Sequence, residues 1–229
     1  MKKIDFLIIF IVIILLLPFF LFDCVCDSYE LFNNTHPMIM SFLKFGILAT
    51  FGECIGLRIT QKVWNKKGFG IIPRAIVWGI LGMGISMAMT IFSSGIPIFL
   101  EKMGLQNASE IFKGSLSALK ILIAFCISLA MNTIFAPVFM TLHKITDIHI
   151  INNGGTLRAF LRPLKMEQII SNLDWKRQWN FVFKKTIPLF WYPAHTITFL
   201  LPQNFQVLFA AILGIVLGLL LAIASLKNI

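Results

Sequence analysis

Any chemistry in this chain has to come from a few polar side chains set inside apolar runs. Glu53 follows Gly52 in a stretch otherwise rich in Ala, Phe, Leu and Ile. Further on, Ser117, Lys120, Ala124, Ser128, Asn132 and Ala136 recur every third or fourth residue. Residues at that spacing share one face of a helix, so Ser117, Lys120, Ser128 and Asn132 form one polar stripe. The stripe suits the lining of an aqueous path. It suits equally a small-residue packing face from which Lys120 reaches the head groups. His195, flanked by Ala194 and Thr196, reads first as a hydrogen-bonded structural residue and second as a proton relay. Ionisable and polar groups are costly in hydrocarbon, which makes each of these a candidate functional residue. Glu53 needs a partner or a proton there, and Arg74 and Asn132 are the expected partners, as glue between helices or as a gate.

Enzyme patterns are absent. The chain has no GxSxG elbow and no phosphate-binding glycine loop ending in Lys-Ser/Thr. No two His residues share helical ligand spacing with a carboxylate. No catalytic residue, cofactor or metal site is therefore expected. Cys54 and Cys126 lie in apolar segments, and Cys24 and Cys26 are too close in sequence for an easy mutual disulfide.

The elements that position these residues follow from composition. The chain is 58% hydrophobic, with 23 Phe and 13% charged residues, whereas a soluble domain is roughly 25% charged. That predicts an all-α, polytopic transmembrane bundle. A helix needs about 20 apolar residues to cross the hydrocarbon core. Residues 6–22, 38–59, 75–100, 115–142 and 205–226 supply such stretches. Residues 186–201 form a sixth, short enough to be tilted, re-entrant or begun earlier at Phe181. The first run reads as a retained anchor because no small-x-small site follows it; cleavage would leave five spans. The chain then divides into an N-terminal span with an outer loop, 1–35, and a membrane domain, 36–229, which carries a loop at 146–185.

Net charge is +10, and its placement fixes an orientation. With both termini inside, the inner segments hold Lys2, Lys3, Arg58, Lys62, Lys66, Lys67, Arg74, Lys227 and eight basic residues between Lys144 and Lys185. The outer loops hold Lys102 and Lys113. This asymmetry follows the positive-inside rule. Because the basic residues border apolar stretches, the expected partners are the bilayer and anionic lipids at the inner face, not nucleic acid. The 146–185 loop interleaves Ile169, Leu173 and Phe181 with Trp175, Lys176 and Trp179, which reads as amphipathic helix in the interface.

Small residues mark helix contacts in lipid. Ala210, Gly214, Gly218 and Ala222 form one ridge in the last span, Gly52 and Gly56 another, and Gly79, Gly82 and Gly84 enrich the third span. A second copy of the chain is a further candidate partner, giving a homo-oligomer.

Several landmarks come in a familiar order: His36-Pro37 ahead of Gly52-Glu53, then Arg74, Gly79 and Gly84, then Phe135-Ala136-Pro137, and last Trp191, Pro193, Phe199 and Pro202. From His36 to about Ser225 the chain resembles the Mpv-seventeen family, which includes the peroxisomal membrane protein twenty-two. These are small integral proteins of mitochondrial inner and peroxisomal membranes, with bacterial relatives. The chain departs from the family pattern at Ile85, Met131 and Gln206, where a Pro, an acid and an Arg are usual. The resemblance implies a weakly selective channel for small solutes or ions, in a bacterial inner membrane or, alternatively, a mitochondrial inner membrane. The competing expectation is a non-conducting structural or assembly protein.

Overall fold

Long apolar segments fold as helices in lipid because hydrocarbon offers the backbone no hydrogen-bond partner, and an α-helix supplies one within the segment. The computed structural model describes residues 3–227, and every regular element in them is helical. Lys2 and the side chain of Lys227, both counted above among the inner charges, lie outside what is described. The chain forms two compact units, Met1–Met40 and Ser41–Ile229.

The first unit holds α1 (Lys3–Leu21) and α2 (Asp23–Thr35). Most apolar side chains of α1 are exposed, as lipid-facing residues must be. The Phe19 ring meets Tyr29 edge-on at 5.6 Å, and the Cys26 thiol donates to the Phe19 carbonyl at 3.0 Å. These contacts fold α2 back against the end of α1, so residues 23–35 are helical and not an open loop. Cys24 and Cys26 are free thiols.

The second unit takes α3 (Pro37–Gln61) from Ser41 onward, followed by α4 (Ile71–Lys102), α5 (Ala108–Lys113) and α6 (Ala118–Asn152). A 3-10 turn (Leu157–Leu161) and the short α7 (Met166–Ser171) and α8 (Trp175–Arg177) lead into a π-helix (Gln178–Trp191). The chain ends in α9 (Tyr192–Leu200) and α10 (Gln203–Lys227). Among the described residues, five helices are long and apolar enough to cross a membrane: α1, α3, α4, α6 and the Gln203–Leu220 part of α10.

Two boundaries differ from those expected. First, α6 continues past Leu142 to Asn152. Nothing interrupts it there, because Ile145 and Ile150 keep a buried apolar face until Asn153-Gly154-Gly155 ends the helix. Second, the short apolar segment is extended at its start: the π-helix and α9 run without a break from residue 178 to 200. α9 alone would be about 14 Å long, far less than the hydrocarbon thickness of about 30 Å. Just before this run, Ile169 and Leu173 pack on Ile145 near the end of α6. Just after it, Leu201, Pro202 and Gln203 line a cavity with Ser109 and Lys120, at the start of α6. The segment therefore traverses the unit from one end to the other.

Between these helices lies an extended apolar cluster, with Phe45 from α3, Ile85 and Met89 from α4, Ile123 and Ile127 from α6, Phe199 from α9 and Ala211 from α10. Glycines let the helices approach. A Cβ at Gly79 or Gly82 would strike the rings of Phe42 or Phe45, and one at Gly46 would lie 2.9 Å from the Ala75 carbonyl oxygen. Gly52 similarly faces Ile215, with Gly218 beside the Gly52 carbonyl. Gly56, Gly84 and Gly214 have open space where a Cβ would be, so the packing within this chain does not use them.

Candidate functional site

The site begins with a crossing of two glycine loops. Gly68 and Gly70, before α4, and Gly154 and Gly155, after α6, all have positive φ, a region that side chains disfavour. A Cβ on Gly70 would lie 2.8 Å from Gly155 Cα, and one on Gly155 would lie 2.7 Å from Gly70 N. Backbone meets backbone here, and the first turns of α4 are fixed against the last turns of α6.

That contact delivers Arg74 to its partners. Its Nη1 donates to Glu53 Oε2 at 2.5 Å and also pairs with Asp147 Oδ1. Its Nε donates to the Phe69 carbonyl at 2.7 Å, and the guanidinium lies over the Phe69 ring, 4.5 Å from the centroid. Glu53 Oε1 accepts from Trp78 Nε1 at 3.0 Å and from His143 Nε2 at 3.2 Å, while the Trp78 and His143 rings lie 4.3 Å apart. Lys144 Nζ is 3.9 Å from Asp147 Oδ2 at the edge. The Arg74 side chain is 6% exposed. One buried guanidinium thus holds two partly buried carboxylates from two other helices.

Glu53 and Arg74 meet as the sequence suggests; Asn132 is elsewhere. His143, Asp147 and Trp78 complete the cluster, and sequence reading passed over them. The available signal was spacing: Arg74 with Trp78, and His143 with Asp147, stand four apart, on one helix face. The same spacing bears on metals. Glu53, His143 and Asp147 each bring a ligand atom within 4.8 Å of the others, an oxygen and nitrogen set of the kind that binds zinc or iron. In this arrangement Arg74 already pairs with both carboxylates, so a cation there would compete with the guanidinium.

A second polar group sits at the α6–α9 contact. Ser128 Oγ donates to the Tyr192 carbonyl at 2.8 Å, and Asn132 Nδ2 donates to the Ser128 carbonyl at 2.8 Å. Asn132 Oδ1 lies 3.0 Å from His195 Nδ1. An amide oxygen can only accept, so His195 carries its proton on Nδ1. Trp191 stacks on His195 at 4.9 Å, and its buried indole N–H has no acceptor among the described residues. Ser128 is 0% exposed and Asn132 1%. The Ser117–Asn132 stripe is therefore a dry helix contact in this arrangement over its middle and lower turns. Its upper end is wet: Ser117 caps α6 by accepting from Lys120 N at 3.1 Å, and Lys120 Nζ donates to the Gly114 carbonyl at 2.6 Å.

Lys120 also lines the cavity at that end, about 630 Å³, together with Ser93, Ser94, Ser109, Lys113, Gln203 and Gln206. The unit thus carries a cavity beside Lys120 at the start of α6 and an ion-pair cluster between α3, the start of α4 and the end of α6. No family model, curated protein or solved structure matches this chain. Fold and composition define it as an all-helical membrane protein.

Proposed function

We propose that this protein passes a small solute or ion across a membrane, and that the Arg74 cluster closes the path in the arrangement described. The observation that carries the reading is the ion-pair cluster held inside the bundle. Glu53, Arg74 and Asp147 interlock between α3, α4 and α6, and a cavity lined in part by polar residues opens beside Lys120 at the far end of α6. Ionisable groups retained at membrane depth tend to mark such paths. The resemblance to the Mpv-seventeen family points the same way and favours a bacterial inner membrane, with a mitochondrial inner membrane as the alternative. No catalytic step belongs to this reading.

A second reading, a non-conducting structural protein, draws on the dry Ser128–Asn132 contact. Planar bilayer recording and liposome efflux on the full chain separate the two. Glu53→Gln weakens the closure while leaving Arg74 paired with Asp147, so it should raise flux several-fold over wild type. Silence from both proteins over a broad range of voltage and pH sinks the path and leaves the structural role.

A further inference from the structure

The end of α6 carries another cavity, about 550 Å³, between its last turns and the segment leading into α7. Neither the charge cluster nor the proposed path uses it. The fold builds it: Ile169 and Leu173 pack on Ile145, and His149 Nε2 donates to the Ala159 carbonyl at 2.9 Å. Arg162 and Lys165 line it with the amides of Asn152, Gln168 and Asn172, and no carboxylate does. Among the described residues, neither Arg162 nor Lys165 makes an ion pair or a side-chain hydrogen bond. Two uncompensated cations with amide donors in a concave site are suited to a phosphate group.

What surrounds the lining selects the source of that phosphate. Phe160, Leu161, Leu164 and Met166 alternate along the chain with the lining residues, and all four are exposed, Leu161 to 85%. A soluble phosphate compound gains nothing from such a rim, whereas acyl chains bury it. Basic residues beside exposed apolar ones at a bundle end are the arrangement that holds head groups. We propose that this cavity binds the head group of an anionic phospholipid, with Arg162 and Lys165 on its phosphate and the apolar side chains against its upper methylenes.

Native mass spectrometry of the full chain in detergent, with phosphatidylglycerol or phosphatidylcholine added, tests this. Wild type should retain phosphatidylglycerol at least tenfold over phosphatidylcholine. The double variant Arg162→Gln/Lys165→Gln should lose that preference, while Lys66→Gln/Lys67→Gln, which removes equal charge from another loop, should keep it. Equal loss in both doubles would mean diffuse surface charge and overturn the site. Displacement of the lipid by millimolar inorganic phosphate would make it a soluble-phosphate site and overturn the lipid assignment. Melting temperature gives an independent readout of folding. Phosphatidylglycerol should raise it in wild type and not in Arg162→Gln/Lys165→Gln, and an equal rise in both overturns the proposal.

Discussion

Arg74 compensates two carboxylates at once, and its removal would leave Glu53 and Asp147 facing each other with little water. Taking one member from a buried ion pair costs about 3–5 kcal/mol. Arg74→Met should therefore lower the unfolding free energy by about that much, measured by denaturant titration in detergent. The triple variant Glu53→Gln/Arg74→Met/Asp147→Asn, which removes charge from all three residues, should recover most of the loss. Asn132→Leu should behave differently. Hydrogen bonds between membrane helices average about 0.6 kcal/mol and reach about 1.7, so losing the His195 contact should cost no more than that by the same titration. The Glu53–Arg74 pair was legible because a carboxylate and a guanidinium at similar inferred depth need each other. Asn132 pairs with His195 and not with Glu53; composition does not say which faces of α6 and α9 meet. His143 and Asp147 were hidden by falling hydropathy, which made a helix end look like a loop.

Among the elements, the loop crossing at Gly70 and Gly155 sets the register of α4 against α6. Gly155 has φ +66, and a Cβ there would press on Gly68 and Gly70 backbone. Gly155→Ala therefore meets the left-handed penalty of roughly 1–2 kcal/mol and a backbone clash that cannot relax by a rotamer change. Gly56→Ala, where a Cβ meets nothing, should gain up to about 1 kcal/mol from helix propensity. Melting curves in detergent should fall for the first and hold or rise for the second; equal behaviour would mean that the crossing does not organise the site. The sequence shows these loops as Gly-Phe-Gly and Asn-Gly-Gly, plain turn signals. It does not show that they meet, since that depends on α6 running to Asn152. The π-helix was obscured for a related reason: its first turns carry Trp179, Lys184 and Lys185 and resemble a surface loop.

At the scale of the molecule, the number of crossings decides what lies on each side. Among the described residues five helices qualify as spans by length and apolarity, and five crossings would put the two termini on opposite faces. The continuous run from residue 178 to 200 is not one of these, but its two ends sit at opposite ends of the bundle, and we propose it as a sixth. Six crossings would return the end of α10 to the face where α4 begins, the arrangement that positive-inside counting requires. A cysteine series in a background without the four native cysteines can separate these outcomes. Cysteines placed at Ser109 and Gln203 should react with an impermeant thiol reagent from one side of sealed vesicles, and one at Asn172 from the other. The Asn172 side should be the inner one, where the basic residues collect. Reaction of Gln203→Cys from the Asn172 side would mean that residues 178–200 turn back within the membrane. Gln203 and Gln206 would then leave the cavity beside Lys120, and the proposed path would lose that wall.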